Sequence, residues 1–278
     1  MTHSDFRYAH HPEDVKNYTT QALRDHFLIP NLFKKNEINL TYTMYDRYIA
    51  GGAFPVDKKV KLDPIDDLKA DYFLERRELG IINVGGKGKV TVDGETYEID
   101  NKEALYVGRG KREVIFEASG GEQPYFYINS APAHKEYPTK KVTKNESEIV
   151  ELGDGKYSNK RTINKLLVNS VIDTCQLQMG MTELKDGNVW NTMPPHTHTR
   201  RMEVYFYFDL EEGQTISHFM GQPHETRHIF LQNHQAVISP EWSIHAGAGT
   251  SNYTFIWGMA GENLDYGDMD GVAPHELK

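Results

Sequence analysis

Four residues in the second half of the chain have the types and the spacing that one metal ion requires. His196 and His198 stand two residues apart, and Glu203 follows after the four residues Thr-Arg-Arg-Met. Because alternate residues of a strand project to one face about 7 Å apart, the two imidazoles can converge on one ion. The intervening residues let the chain turn and present the Glu203 carboxylate from the next strand. His245, which follows a turn containing Pro240, is the candidate fourth ligand.

Imidazole and carboxylate ligands define the chemistry of such a centre. Two or three histidines with one carboxylate accept zinc, iron, manganese, nickel or cobalt, and they leave open positions where a substrate binds. Cys175 is the only cysteine, which excludes both an all-cysteine zinc site and an intramolecular disulfide. The residue types therefore predict a metal centre that is built from histidine and carboxylate alone.

A second histidine pair, His224 and His228, matches the His-Glu-x-x-His motif of zinc proteases. That motif needs a helix, on which both histidines share a face. Here Pro223 precedes the motif and the apolar run 229–231 follows it, which is typical of a short strand. On a strand the two histidines would stand about 13 Å apart and could not share a metal. A protease is therefore disfavoured.

The candidates for catalysis are Tyr205 and Tyr207. If Glu203 points into a barrel, both phenols share its face by the two-residue period of a strand. They could orient hydroxyl groups or relay protons beside the metal, or they could simply fill the barrel. The general base itself is not identified, and the histidines outside the metal set stay candidates for it.

Three arginines are candidate anchors for a substrate carboxylate, because a guanidinium group matches that anion with two parallel hydrogen bonds. Arg200 and Arg201 lie between the predicted ligands, and Arg227 lies farther along the chain. For each of them a solvated surface position is the alternative.

Short alternating segments separated by glycine-bearing turns must position these residues. The clearest is the hairpin over 89–99, in which Asp93 and Gly94 suit a tight type I′ turn. The first 70 residues are irregular and partly helical, with a helix predicted over 15–27 and a strand over 40–49. Short strands at regular spacing indicate a closed β-barrel or jelly roll. Further strands are predicted over 104–107, 113–118, 125–130, 166–172, 175–184, 202–210, 215–220, 225–232, 236–239 and 252–259.

The metal pattern on a barrel of short strands resembles the signature of the cupins. In that signature, His-x-His-x4-Glu is followed some forty residues later by Pro-x4-His. Two positions depart from it, since Trp242 replaces a usual glycine and Gly249 a frequent asparagine. Both departures affect the shape of a turn and leave the four ligand positions filled.

The same pattern laid on the first half of the chain falls on Tyr72, Leu74, Leu79 and Glu113, which do not repeat the ligand set. The resemblance therefore implies an all-β bicupin, two double-stranded β-helix (jelly-roll) barrels with a partly helical N-terminal segment. The expected domains are 1–70, an N-terminal arm with the first strands; 71–150, a metal-free cupin-like barrel; and 151–278, the metal-binding cupin barrel. An unrelated β domain in the first half is the alternative.

Longer segments of the chain resemble the family of 4-deoxy-L-threo-5-hexosulose-uronate ketol-isomerases, also called 5-keto-4-deoxyuronate isomerases. The segments are 43–52, 194–208, 220–229 and 240–250, and with the length they extend the resemblance over nearly the whole chain. It implies a zinc bicupin, commonly a homohexamer, that acts in bacterial pectin degradation. One Zn²⁺ per subunit would be held by His196, His198, Glu203 and His245, although the ligand types also suit manganese, iron, nickel or cobalt.

The reaction that the resemblance implies converts 5-dehydro-4-deoxy-D-glucuronate to 3-deoxy-D-glycero-2,5-hexodiulosonate. A metal that chelates the C1 carbonyl and the C2 hydroxyl would acidify the C2 proton, and a base would move that proton to C1. A hydride shift is the alternative route. Two other functions stay open, the 5-deoxy-glucuronate isomerase of inositol catabolism and a sugar-acid-binding bicupin without enzymatic activity.

Composition excludes several classes of partner. The chain has 40 acidic against 31 basic residues and a formal net charge of -9, which disfavours nucleic acid and anionic membranes. The longest apolar stretches, such as 204–208, are too short to span a bilayer, and no apolar leader is evident. We expect a cytoplasmic protein whose partners are a small uronate substrate and further copies of itself.

Overall fold

The computed structural model describes all 278 residues, Met1–Lys278, and the chain folds almost entirely into short strands. The two α-helices, α1 (Pro12–Val15) and α2 (Thr20–Phe27), lie near the N-terminus. This confirms the predicted all-β class with a partly helical N-terminal segment. None of the helices is both long and apolar enough to cross a membrane. Short 3-10 helices are Tyr45–Arg47, Asp66–Leu68, Lys144–Glu146, Gly155–Tyr157 and Pro274–Glu276.

The strands follow one another at short intervals along the chain. The first twelve are β1 (Thr2–Arg7), β2 (Leu28–Ile29), β3 (Ile38–Thr43), β4 (Ile49–Ala53), β5 (Val60–Lys61), β6 (Arg77–Asn83), β7 (Gly88–Val92), β8 (Glu95–Ile99), β9 (Ala104–Val107), β10 (Val114–Ala118), β11 (Phe126–Pro132) and β12 (Lys140–Val142). The others are β13 (Glu148–Leu152), β14 (Arg161–Leu167), β15 (Gln178–Leu184), β16 (Trp190–Asn191), β17 (His196–Thr197), β18 (Arg201–Phe208), β19 (Ile216–Gln222), β20 (Glu225–Leu231), β21 (Gln235–Ser239), β22 (Ala246–Gly249), β23 (Thr254–Gly261) and β24 (Asp270–Gly271).

The chain divides into two compact units, and each is assembled from separate stretches of sequence. Unit 1 comprises Met1–Arg7, Asn31–Glu148 and Leu166–Met179. Unit 2 comprises Tyr8–Pro30, Ile149–Lys165 and Gly180–Lys278. The predicted domains 1–70, 71–150 and 151–278 stay a prediction.

Unit 1 contains a seven-stranded sheet in the order β1-β3-β4-β11-β6-β9-β12 and a four-stranded sheet in the order β5-β10-β7-β8. Apolar side chains of both sheets form its core, among them Leu79, Val90 and Phe116, each fully buried. The predicted hairpin is confirmed as β7 and β8. Asp93 and Gly94 have φ angles of 47° and 89°, as a type I′ turn requires.

Unit 2 is built around a seven-stranded sheet in the order β13-β14-β15-β23-β18-β21-β2. A four-stranded sheet, β16-β22-β19-β20, and a two-stranded one, β17-β24, complete it. Strand β18 is buried along its whole length, which lets it place functional residues on one face and core residues on the other. It pairs with β21 and β23 so that Glu203 lies opposite Ser239 and Met259.

Three predicted elements differ from the structure. The helix predicted over 15–27 is shorter in the structure: α1 ends at Val15, and α2 begins at Thr20, where the Thr19 side chain accepts the backbone N–H of Ala22 at 3.2 Å. The predicted strand over 40–49 is β3 and β4, separated by a turn in which Asp46 and Arg47 have positive φ. The strand predicted over 166–172 is wrong beyond residue 167, where the chain turns and the Ile172 N–H bonds a carbonyl four residues earlier.

The strand register shows where the metal pattern falls in unit 1. Strand β6 lies between β9 and β11 as β18 lies between β21 and β23. Leu79 is opposite Val107, the last residue of β9, just as Glu203 is opposite the last residue of β21. Glu113 precedes β10 and forms an exposed ion pair with Lys61 at 2.9 Å. In unit 1 an apolar residue thus takes the place that the carboxylate has in unit 2.

Candidate metal centre

Three segments of unit 2 bring the four predicted ligands together. His196 opens β17, His198 follows that strand directly, Glu203 is the third residue of β18, and His245 immediately precedes β22. Their nitrogen and oxygen ligand atoms all lie within 4.8 Å of one another. We call these four residues the His3Glu cluster. Its assembly from distant positions is what the sequence spacing predicted.

Distances within the His3Glu cluster suit ligands that share one small cation. The Nε2 atoms of His196 and His245 are 2.9 Å apart, and the Nε2 atom of His198 is 2.8 Å from Oε1 of Glu203. Nε2 of His245 is 3.5 Å from the same carboxylate oxygen. Ligands of a tetrahedral zinc ion stand about 3.4 Å apart at ordinary bond lengths of about 2.0–2.1 Å. The four donors therefore surround a volume of the right size.

Backbone carbonyls orient two of the imidazoles towards that volume. Nδ1 of His198 is 2.7 Å from the carbonyl oxygen of Asp268, and Nδ1 of His245 is 3.2 Å from that of Ser243. A carbonyl only accepts, so a neutral imidazole that carries its hydrogen on Nδ1 satisfies these contacts and keeps the lone pair of Nε2. Lone pairs of Nε2 atoms and of a carboxylate then face one another. A cation between them would remove the electrostatic repulsion of these lone pairs, so this donor set fits a metal ion.

The ionisation of the cluster matches what a metal requires. Burial would raise the pKa of Glu203, but His245, His198 and Arg201 together hold it well below its usual value. Burial lowers the pKa of His196 to about 4 and that of His245 well below its usual value. Ionised carboxylate and neutral imidazole are the forms that bind metals, and Glu203, His196 and His245 adopt these forms near neutral pH.

Arg201 is buried beside the cluster and fastens it to the 263–268 segment. Its Nη1 donates to two carbonyls of residues 263–265 at 3.0 and 2.9 Å, and its Nη2 donates to the Asp268 carbonyl at 2.9 Å. The same Asp268 oxygen lies 2.7 Å from Nδ1 of His198, and Nη2 of Arg201 lies 3.2 Å from that nitrogen. Nε of Arg201 lies 3.9 Å from Glu203. Arg201 therefore positions ligands and has few hydrogens left for a substrate.

The structure does not bring the other two candidate arginines to the cluster. The Arg200 side chain is largely exposed, with its Nε 3.5 Å from Glu262. Arg227 lies on β20, where it donates to the carbonyls of Thr226 and Lys16. Neither residue lines the cavity that adjoins the cluster. Any role of theirs in binding a carboxylate stays a prediction.

A cavity of about 220 Å³ adjoins the His3Glu cluster and includes His196 and Glu203 in its wall. Apolar side chains supply much of the rest, which favours exclusion of water. Further polar groups in the wall are Arg161, Thr182, Thr192, Arg201, Tyr205 and Tyr266. Sequence reasoning missed Arg161 and Tyr266. The signal for Arg161 was the period of β14, since Arg161 and Ile163 alternate towards the cavity.

The two candidate tyrosines share a face of β18 but differ in their surroundings. Tyr205 lines the cavity, and its hydroxyl is 3.1 Å from Oγ1 of Thr192. Tyr207 lies outside the cavity wall, and its hydroxyl is 2.7 Å from Nδ1 of His218. Burial raises the pKa of both phenols well above the usual value. Only Tyr205 is therefore placed to meet a molecule in the cavity, and it would do so as a protonated phenol.

Curated relatives match the chain over its full length. A "4-deoxy-L-threo-5-hexosulose-uronate ketol-isomerase" of Formosa agariphila is 60% identical over 278 residues, which is 100% of this chain and 99% of the relative. A protein of the same name from Bacteroides fragilis is 56% identical over 278 residues, with the same coverage of 100% and 99%.

Solved structures share the fold at low sequence identity. An IolB-like protein from Salmonella typhimurium LT2 matches 89% of this chain and 97% of its own, with a TM-score of 0.72 and 14% identity. The oxalate decarboxylase of Lactobacillus farciminis matches 82% and 80%, with a TM-score of 0.55 and 10% identity. These likenesses confirm the predicted bicupin fold of two jelly-roll barrels.

Family membership follows from a match that covers most of the chain and the entire cluster. The sequence model described as the KduI/IolB family matches residues 27–272, a span that contains the His3Glu cluster and the cavity. With relatives 56–60% identical over the full length, the chain belongs to the KduI/IolB family.

Proposed function

We propose that this protein is a metal-dependent ketol-isomerase. Its substrate would be 5-dehydro-4-deoxy-D-glucuronate, also named 4-deoxy-L-threo-5-hexosulose uronate, and its product 3-deoxy-D-glycero-2,5-hexodiulosonate, in the degradation of pectin. The observation that carries the proposal is the His3Glu cluster. It adjoins a cavity of about 220 Å³, a size that suits a small molecule such as a single sugar acid. The name and the identity of the full-length relatives support this substrate.

The proposed ligands are His196, His198, Glu203 and His245, with one Zn²⁺ per chain. Nitrogen and carboxylate donors in a buried group suit zinc, and manganese, iron, nickel or cobalt are the alternatives that elemental analysis separates. A bound ion would supply Lewis-acid stabilisation of the negative charge that develops on the sugar oxygens at C1 and C2.

Residues of the cavity supply the rest of the proposed chemistry. The Tyr205 phenol is protonated near neutral pH, so it can donate a hydrogen bond or a proton to a sugar oxygen that gains charge. Thr192, 3.1 Å from that hydroxyl, fixes its direction. Apolar walls keep water from the reacting carbons. Tyr207 is the weaker catalytic candidate, because its hydroxyl is held by His218 outside the cavity wall.

The test is an isomerase assay on purified protein whose metal content has been measured. We expect about one metal ion per chain and turnover of the 5-keto-4-deoxyuronate. Full turnover by metal-free protein would overturn the mechanism. Preferred turnover of 5-deoxy-glucuronate would assign the chain to inositol catabolism, and binding of sugar acids without turnover would make it a binding protein.

The route of the hydrogen atom is tested in the same assay. In D2O, a proton transfer from C2 to C1 by a base that exchanges its proton with solvent introduces deuterium at C1. A direct hydride shift leaves C1 free of solvent deuterium. Mass spectrometry of the product distinguishes the two. We expect deuterium incorporation, because a base that takes the C2 proton can exchange it with solvent before a proton is returned to C1.

The proposal includes a cytoplasmic homohexamer. It is supported by the resemblance over most of the chain and by Cys175, a buried free thiol that needs no oxidising compartment. Light scattering on the purified protein should give six times the chain mass of 31.9 kDa. A monomer with full isomerase activity would contradict the hexamer and leave the reaction standing.

A further inference from the structure

We infer that Arg161 binds the carboxylate of the sugar acid in the cavity and thereby selects acidic over neutral sugars. The inference rests on the proposed function, because it names the residue that would hold the acid end of that substrate. Arg161 is the first residue of β14, and its side chain lines the cavity that also contains His196, Glu203 and Tyr205.

Arg161 lacks an acidic partner within the protein. Its Nη1 donates to the carbonyl oxygen of Asn159 at 2.8 Å, which occupies one of five N–H donors. No carboxylate oxygen of the chain lies within 4.0 Å of its guanidinium nitrogens. Burial lowers the pKa of Arg161, yet a guanidinium group stays charged at neutral pH. A half-buried cation with free donors is costly unless an anion completes it.

The second arginine of the cavity wall cannot take this role. The Nη atoms of Arg201 donate hydrogen bonds to carbonyls of the 263–268 segment, and its Nε lies 3.9 Å from Glu203. Arg161 is therefore the arginine of the cavity wall that keeps guanidinium N–H donors available for a bound molecule. Two parallel N–H groups match the two oxygens of a carboxylate, and an ester or an alcohol at the same place offers no charge to pair.

The cavity therefore has two chemically different groups that could recognise a substrate. The His3Glu cluster suits the carbonyl and hydroxyl oxygens at C1 and C2, and Arg161 suits the acid group at C6. A substrate with both features would be held at both, which fixes its orientation without any further charged residue. A neutral ketose would lose one of the two contacts.

The test uses the full-length, metal-loaded protein and two substitutions, Arg161→Gln and Arg161→Lys. Arg24→Gln is the matched control, because Arg24 is also half-buried in unit 2 and its Nη1 also donates to a carbonyl at 2.8 Å, that of Phe230, outside the cavity. With the 5-keto-4-deoxyuronate we expect Arg161→Gln to raise KM about 10- to 100-fold and to change kcat far less. Arg161→Lys should fall between, and Arg24→Gln should match the wild type.

A binding experiment separates the carboxylate contact from folding and from catalysis. Calorimetry with D-galacturonate and with its methyl ester compares two sugars that differ in the charge of the carboxyl group. The wild type should prefer the acid, and Arg161→Gln should lose that preference while its metal content and melting temperature stay unchanged. If Arg161→Gln does not fold, the same reduction of preference, smaller in size, is expected in Arg161→Lys.

The outcomes distinguish this inference from the proposed function. If the wild type turns over the uronate while both Arg161 variants keep its KM and its preference for the acid, the inference is overturned and the function stands. If the wild type shows no turnover but its preference for D-galacturonate depends on Arg161, the function fails and the carboxylate site stands.

Discussion

At the scale of single residues, the site depends on where hydrogens are placed. Carbonyl oxygens of Asp268 and Ser243 can accept Nδ1–H groups, and the Nε2 atoms of His198 and His245 then present lone pairs. The low pKa of Glu203 keeps its carboxylate ionised at the same time. Glu203, His196 and His245 are therefore already in the protonation states that bind a metal, and binding would release few protons from them near neutral pH.

Removing one ligand should remove both metal and activity. For His196→Ala and for Glu203→Ala we expect metal content to fall from about one per chain to near zero, and turnover to fall by at least about 10²-fold. Elemental analysis and the isomerase assay measure the two effects. His228→Ala, a change at an exposed histidine of β20, is the control that should keep both. A variant that lacked the metal yet kept turnover would contradict the assigned ligands.

The two tyrosines of β18 should separate kinetically. Tyr205→Phe deletes the hydroxyl in the cavity, and we expect kcat to fall about 10²- to 10⁴-fold if that group transfers a proton. Tyr207→Phe deletes a hydroxyl that contacts His218 instead, so kcat should change less than about 5-fold while stability falls by ~1 kcal/mol. Equal losses in both variants would show that Tyr205 has no special part in the reaction.

His218 predicts a pH dependence of stability. Burial lowers its pKa from 6.5 to about 3, so between these values the unfolded chain binds a proton that the folded chain does not. Stability then falls as the pH falls, by about 1.4 kcal/mol per unit for this group. Between pH 7 and pH 5 the wild type should lose about 2 kcal/mol more than His218→Gln in urea unfolding. Equal losses would mean that His218 titrates alike in both states.

At the scale of elements, the site depends on strand β18 and on the 263–268 segment that Arg201 holds. The strand fixes Glu203 and Tyr205 on one face by its two-residue period. The segment has no regular structure beyond a turn, and it is held in part by the buried guanidinium of Arg201. One side chain thus joins an ordered strand to an irregular segment that orients His198.

Arg201→Lys should weaken metal binding although it keeps the charge. A lysine cannot donate to the 263–265 carbonyls and to Asp268 at once, so His198 would lose its fixed orientation. We expect the affinity for the metal to fall about 10- to 100-fold in a competition with a chelator. Arg200→Lys changes an exposed neighbour and should leave the affinity unchanged. Unaltered affinity in Arg201→Lys would show that the segment is held by other contacts.

Sequence patterns predicted most strands and the cluster, because these depend on local periodicity and on residue type. The hairpin at Asp93 and Gly94 and the four cluster residues are examples. Sequence patterns failed where one short side chain or one backbone carbonyl determines where an element begins or how a side chain is oriented. The helix start at Thr19 is one case, and the orientation of His198 by the Asp268 carbonyl is another. Arg161 was missed because sequence spacing alone does not show that the start of β14 lines a cavity.

At the scale of the whole molecule, the His3Glu cluster lies within one unit. All four cluster residues lie in Gly180–Lys278 of unit 2, and the register places Leu79 at the corresponding position of unit 1. A ligand that binds only folded unit 2 stabilises that unit by mass action.

Chelation should therefore destabilise one unit selectively. After removal of the metal, we expect amide hydrogen exchange to accelerate in β18 and β21 of unit 2, while β6 and β11 of unit 1 keep their protection. At a metal concentration of 100 times Kd, the loss corresponds to about 2.7 kcal/mol. Chelator added to His196→Ala is the control and should change nothing. Uniform acceleration throughout the chain would indicate that metal binding stabilises both units.

The interleaved chain of the two units sets an order for folding during synthesis. Unit 1 uses no residue beyond Met179, so the ribosome has supplied all of it well before translation ends. Unit 2 needs residues from both sides, since Leu28 of β2 pairs with Val237 of β21. At about 5–20 residues per second, the early segment waits roughly ten seconds or more for its partner. During that interval Leu23 and Phe27, the buried side chains of α2, stay without the strands β20 and β21 that the helix contacts in the folded unit.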